Sequence, residues 1–258
     1  MRKRAQKYWT RLLYWYVSWI DRHANITFLN YGYSDNSRKI NLPADQEANR
    51  YSIQLYHHIV KNIDFRNKAL VEIGCGRGGG LFYLVKKWAP ESAVGIDTSK
   101  AAVRFCNRHF KAEDLAFLHG NAQNLPLADN SYDLAINVES SHRYENFGKF
   151  LSEVHRVLRN DGLLLFADYR SVKKMDRLRK DIEEASFKIV KEEFLNRQIV
   201  CALKEAGDRK RQFVKTVTPK YLYTAGLDYA GKLEAKLIQR FEQKRKIYFN
   251  YILQKRSA

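Results

Sequence analysis

Short apolar runs alternate with helical periodicity along the middle of the chain. Residues 45–62 repeat apolar groups at helical spacing (Ile53, Leu55, Tyr56, Ile59, Val60), which predicts a helix. ALVEIG (69–74) then reads as a buried strand, and LFYLVKKW (81–88) as a helix. AVGIDTS (93–99) is a second strand and KAAVRFCNRHF (100–110) a second helix. LAFLHGNA (115–122), YDLAINVES (132–140) and GLLLFADY (162–169) are further strands, with the helix GKFLSEVHRVL (148–158) before the last. Strands alternating with helices predict an α/β fold with a doubly wound, mainly parallel sheet. Past Tyr169 the pattern loosens into a charged helix (172–185), a strand (187–195), a basic helical stretch (196–243) and an aromatic strand (247–255). The expected division is an N-terminal helix and lid over 1–45 and a core over 46–195. A helical cap over 196–243 and a last core strand within 244–258 complete it.

Composition narrows the class. The chain has 258 residues, 45% of them hydrophobic, which excludes global disorder. No stretch approaches the roughly 18 uncharged apolar residues of a spanning helix. Three scattered cysteines, Cys75, Cys106 and Cys201, are too few for a disulfide scaffold or a zinc site and fit a reducing cytoplasm. No metal is expected. The net charge of +18 is the anomaly and calls for an anionic partner, nucleic acid or an acidic membrane. It concentrates at residues 1–11 and from Lys204 onward, where Lys and Arg outnumber Asp and Glu 14 to 5. Residues 1–20 interleave Arg2, Lys3, Arg4, Lys7 and Arg11 with Tyr8, Trp9, Leu12, Leu13, Tyr14, Trp15, Tyr16, Val17, Trp19 and Ile20, which suits a helix lying on an anionic membrane surface. No small-residue cleavage site follows, so a cleaved signal is not expected.

The chemistry centres on VEIGCGRGGG, Val71 to Gly80, a strand that turns on glycines into a helix. Missing side chains let a ligand approach the backbone, and a helix N-terminus offers free N–H groups. Gly74, Gly76 and Gly79 satisfy a dinucleotide pattern by spacing alone. Glu72, two residues before the first glycine, instead invites a cationic amino group. His142, just past the fourth strand, is a natural general base, with Glu139 three residues earlier placed to orient or charge-stabilise it.

These segments resemble class I S-adenosylmethionine-dependent methyltransferases. The acidic-x-Gly-x-Gly-x-Gly signature stands as Glu72, Gly74, Gly76 and Gly78, with Cys75 as a small residue beneath the cofactor. The resemblance implies S-adenosyl-L-methionine as cofactor and a Rossmann-like fold. It implies that Asp97 meets the ribose, with Thr98 beside it also binding cofactor, and that Asn121 and Ala122 in GNAQNLPL meet the adenine edge. Asn137 belongs to the cofactor side of the fourth strand. At finer grain, FLNYGY (28–33), RYSIQLY (50–56), NVESSH (137–142) and FADYR (166–170) resemble the phthiotriolone/phenolphthiodiolone dimycocerosate methyltransferases and polyketide or macrolide O-methyltransferases. That implies O-methylation of a hydroxyl on a lipidic or polyketide-like molecule, with Tyr33 near the cofactor and Tyr31 and Tyr144 near the acceptor. An RNA substrate or an amine acceptor is the alternative. The Asn-Pro-Pro-Tyr-type motif for base nitrogens is absent, Asn137-Val138-Glu139-Ser140 standing in its place. The expected location is the cytoplasm, peripheral to the membrane.

Overall fold

The computed structural model describes residues 26–35, 39–207 and 223–256. The predicted helix over residues 1–20 lies outside the described residues.

A sheet of seven strands forms the centre, in the order β3-β2-β1-β4-β5-β7-β6. Strands β1 (Ala69–Ile73), β2 (Ser92–Asp97), β3 (Leu115–His119), β4 (Tyr132–Val138) and β5 (Leu158–Ser171) run parallel. β7 (Lys246–Lys255) inserts antiparallel between β5 and β6 (Phe187–Phe194). β1 is buried at every residue, as expected of a central strand covered on both faces. In edge strand β6 only Phe187 is buried, and the positions after it alternate exposed and half-buried.

Helices cover both faces. On one lie α1 (Arg50–Val60), α2 (Gly79–Trp88), α3 (Lys100–His109), α6 (Asn196–Glu205) and α7 (Tyr223–Glu242), anchored by Leu55, Leu81, Cys106, Ile199 and Phe241. On the other lie α4 (Phe147–Val157) and α5 (Met175–Glu184), anchored by Phe150, Leu151, Leu178 and Ile182. Among the described residues, no helix is long and apolar enough to cross a membrane.

The expected elements differ from the structure mainly at their ends. The first helix opens with a 3-10 turn, Ala44–Asn49. The second strand stops at Asp97 because Ser99 caps α3, its side chain accepting from the Ala102 N–H. The third stops at His119, and Gly120 to Asn124 turn away from the sheet. The strand order reverses between β1 and β4, so their carboxyl ends open a crevice.

Candidate active site

The glycine turn leaves β1 at this crevice. Gly74, Gly76 and Gly78 all have positive φ, at 79°, 54° and 76°. A Cβ on Gly74 would fall 2.4 Å from Ser140 Oγ, and one on Gly78 would fall 2.8 Å from Cys106 Sγ. Those two glycines answer to packing. At Gly76 the nearest atom would be Leu29 Cδ1 at 3.8 Å, so this backbone faces open space beneath the loop that carries Leu29. That is the cradle a ligand needs.

Two carboxylates flank it. Glu72 is fully buried on β1. The Tyr56 hydroxyl donates to its Oε1 at 2.6 Å, while Oε2 has no partner. Burial pushes its pKa up to about 7 against the pull of the Tyr56 bond. An orphaned, buried carboxylate oxygen is costly until a cation or donor meets it. Asp97, at the end of β2, accepts from the Gly76 N–H at 2.9 Å and the Ser99 N–H at 2.8 Å. Burial raises its pKa, and the two backbone bonds oppose that. Glu72 can meet an ammonium group, Asp97 a pair of hydroxyls, and Gly76 a closely approaching chain. This donor and acceptor set fits S-adenosylmethionine.

The segment after β4 divides its two expected catalytic residues. Glu139 does not orient His142. It sits at φ 48°, and its Oε1 accepts from the Tyr31 N–H at 3.0 Å and the Tyr248 hydroxyl at 2.9 Å. Burial raises its pKa to about 8, with those two bonds opposing. His142 is held instead by Asp168, fully buried on β5. Asp168 accepts from the His142 backbone N–H at 2.9 Å and meets Nδ1 at 2.8 Å. It also accepts from Ser141 Oγ at 2.6 Å and the Tyr169 N–H at 2.8 Å, and pairs with Arg170 at 3.1 Å. Burial alone would raise the Asp168 carboxyl, but His142, Arg170 and Ser141 together hold it below the usual range. The other nitrogen, Nε2, lies 3.1 Å from the Tyr169 hydroxyl, with the two rings stacked.

Residues 71–166 match a family described as a methyltransferase domain. The chain is 36% identical to a fatty-acid O-methyltransferase of Mycolicibacterium smegmatis, over 82% of this chain and 78% of that protein. It is 31% identical to a phthiotriol/phenolphthiotriol dimycocerosates methyltransferase of Mycobacterium tuberculosis, over 93% of this chain and 88% of that one. The chain belongs to the S-adenosylmethionine-dependent methyltransferases. Its fold is shared with the [4+2]-cyclase SpnF, at a TM-score of 0.74 and 16% identity over 96% of both chains.

In this methyltransferase the remaining expected residues take varied places. Asn121 is exposed, and its Oδ1 accepts from the Gln123 N–H at 3.0 Å, so it caps its own turn. Ala122 is buried in the core beneath. Thr98 is exposed beside Asp97. Asn137 is buried and ties the crevice together, its Nδ2 donating to Ile73 O at 2.8 Å, Ser140 Oγ at 2.7 Å and the Tyr144 hydroxyl at 3.1 Å. Tyr144 thereby stands against Gly74, its hydroxyl 2.9 Å from where a Cβ would sit. Cys75 is buried, and a hydrogen bond with Cys106 together with burial pushes its free thiol up, away from nucleophilic character. Tyr33 stacks on His58 of α1 with centroids 4.2 Å apart, and its hydroxyl donates to Asp35 at 3.4 Å. It packs on α1, not on the glycine turn.

The first loop closes the site from above. Thr27 O accepts from the Gly79 N–H at 3.2 Å, and Ile26 O accepts from the buried Arg77. Tyr31 follows, stacked on Tyr169 at 5.5 Å. Beyond it opens a cavity of about 520 Å³ between this loop, α6 and α7. Phe28, Leu29, Leu203, Leu233 and Leu237 make it mainly apolar, and Glu234, Lys236 and Arg240 also line it.

Asp168, Tyr169, Tyr56 and Tyr248 are not among the residues expected from sequence. Only Asp168 left a signal there, an acid closing the apolar run GLLLFA.

Proposed function

We propose that this methyltransferase methylates an oxygen of a lipid-like acceptor, with His142 taking the proton of an acceptor hydroxyl. The Asp168–His142 pair, linked through Tyr169 and Tyr31 to an apolar cavity, carries the reading. Asp168 fixes the proton on Nδ1 and leaves Nε2 as the basic atom. As the ring takes up a proton, the carboxylate stabilises the imidazolium. The bound cofactor supplies an electrophilic methyl group on a sulfonium. Glu72, Asp97 and the Gly76 backbone would hold it; the first loop would exclude water; the cavity would align the acceptor's chain. The relatives support a lipid-like acceptor, being named for a fatty acid and for phthiotriol.

A carboxylate acceptor is the second reading. Lys246 Nζ lies 3.9 Å above the Tyr169 ring, and burial with Arg240 nearby lowers its pKa. Two adjacent cations favour an acidic head group, and a carboxylate attacks without losing a proton. Labelled methyl transfer to hexadecane-1,2-diol and to palmitate, by the native chain and by His142→Ala, separates the two. Loss of transfer to the diol supports the base; an undiminished rate on the diol removes it.

The basic, aromatic residues 1–20 support work at an anionic membrane surface on the cytoplasmic side, since each Lys or Arg near such a surface adds about 1 kcal/mol. Sedimentation with phosphatidylserine vesicles tests this, and equal sedimentation after deletion of residues 1–20 excludes that segment.

A further inference from the structure

Three rings lie in a row between the cavity and Asp168. His142 stacks on Tyr169 with centroids 4.4 Å apart and planes at 30°. Tyr169 stacks on Tyr31 at 5.5 Å and 26°. Their polar tips follow the same line. Asp168 Oδ1 meets His142 Nδ1 at 2.8 Å, Nε2 meets the Tyr169 hydroxyl at 3.1 Å, and the Tyr31 hydroxyl donates to Tyr169 at 3.4 Å. Tyr31 lines the cavity.

The direction of each bond follows from the carboxylate. Asp168 can only accept, so the neutral imidazole keeps its proton on Nδ1 and offers a bare Nε2. The approach of Arg143 Nε to Nε2 at 3.3 Å agrees with an accepting nitrogen. Tyr169 therefore donates to His142, and its own lone pairs accept from Tyr31. The Tyr169 oxygen stands at Nε2, with Tyr31 between it and the cavity.

We infer that Tyr169 and Tyr31 relay the acceptor's proton to His142. This rests on the reading of His142 as base. The acceptor O–H bond breaks and its proton passes to the Tyr31 oxygen. Tyr31 passes its own proton to Tyr169, and Tyr169 passes its own to Nε2. The acceptor oxygen forms its bond to the methyl carbon as the carbon–sulfur bond breaks, leaving a neutral thioether. The positive charge of the sulfonium ends on the imidazolium against Asp168. Both tyrosines stay neutral throughout, as their burial requires: it raises the pKa of each hydroxyl. The charged groups around Tyr169 are Lys246 above its ring, Asp168 beside it, and Glu139 and Arg143 from the end of β4.

Tyr169→Phe keeps the stack and removes only the relay oxygen. With hexadecane-1,2-diol as acceptor, kcat should fall about 100-fold or more with KM little changed, in the range general acid–base groups supply. The double variant Tyr169→Phe/His142→Ala should be no slower than His142→Ala alone. The native enzyme should show a curved dependence of kcat on deuterium fraction, from several protons in flight. A native kcat in Tyr169→Phe, or a double variant slowed by the product of both losses, overturns the relay. If His142→Ala is slow while Tyr169→Phe is not, the relay falls and the base stands; if His142→Ala is itself at the native rate, the base falls. Nitrogen-15 NMR of His142 in the full chain with S-adenosylhomocysteine at pH 8.5 reads the site without an acceptor. A bare Nε2 whose resonance moves in Tyr169→Phe supports the relay, and a protonated Nε2 overturns it.

Discussion

Asp168 holds His142 at two points, the backbone N–H at 2.9 Å on Oδ2 and the ring Nδ1 at 2.8 Å on Oδ1. Ser141 and Arg170 add donors on Oδ2, and the Tyr169 N–H adds one on Oδ1. Each oxygen thus serves at least two donors. An amide offers only one accepting atom, so Asp168→Asn turns an NH2 group against two donors. We expect kcat to fall about 10²- to 10⁴-fold. Stability should drop by about 1–3 kcal/mol, and cofactor affinity should be near native. Steady-state kinetics and calorimetry check this; an unchanged kcat would show that Asp168 merely packs.

Acid stability follows from the same residue. A carboxyl held below its unfolded pKa contributes stability that is complete above the unfolded value, about 4, and lost as pH falls through the folded one. Asp168 is such a group, and Glu193, brought to about 2 chiefly by its bond from His58, is another. The melting temperature should fall between about pH 4 and pH 2. Asp168→Asn and Glu193→Gln should each flatten that fall. Native slopes in both variants would place the acid sensitivity elsewhere.

Glu72 runs the other way. Its folded pKa, about 7, lies above the unfolded value of about 4.3, so the folded protein binds the extra proton between these two. Stability of the cofactor-free protein should therefore fall as pH rises through that window. An ammonium group at Oε2 would favour the ionised form, so cofactor binding should release a proton near pH 6.5 and tighten as pH rises through 7. Calorimetry in buffers of different ionisation enthalpy measures the release. Glu72→Gln should abolish it and weaken the cofactor about 10-fold or more; native binding by that variant would remove the ammonium assignment.

How much was legible in the sequence depends on the range of the contact. The glycine turn, Glu72 and Asp97 stand at strand ends that local periodicity marks, so their placement could be read directly. The partner of His142 could not. Asp168 is 26 positions away and reaches it because β4 and β5 pair with Val138 beside Ala167. Strand periodicity shows that a strand exists but not its register. Glu139 looked like the orienting acid because it is near in sequence. A left-handed backbone at φ 48° turns it instead toward Tyr31 and Tyr248, 108 and 109 positions away. The packing of Tyr33 on His58 is equally out of reach, since the stretch FLNYGY does not show which tyrosine faces α1.

The glycines separate fold from binding. Gly74→Ala should cost more than the roughly 1–2 kcal/mol of a left-handed alanine, because its Cβ would strike Ser140 Oγ at 2.4 Å. Gly76→Ala has room, with Leu29 at 3.8 Å, and should cost only that backbone strain. Its methyl would stand in the cradle. The expected outcome is a larger loss of melting temperature in Gly74→Ala and a larger loss of cofactor affinity per unit of stability in Gly76→Ala. Equal ratios would place the cofactor away from Gly76.

The cavity should read chain length. Leu233 and Leu237 face it one helical turn apart on α7, opposite Phe28 and Leu29 of the first loop. Leu233 is itself exposed at 52%, so enlarging it disturbs little of the core. Leu233→Trp fills space that an aliphatic chain would take, without touching Glu72, Asp97 or His142. If the cavity takes the acceptor, KM for sixteen-carbon acceptors should rise about 10-fold, the scale of one or two methylenes excluded at about 0.8 kcal/mol each. Eight-carbon analogues should be less affected, and cofactor affinity should be unchanged. Equal effects on short and long acceptors would mean that the chain runs elsewhere.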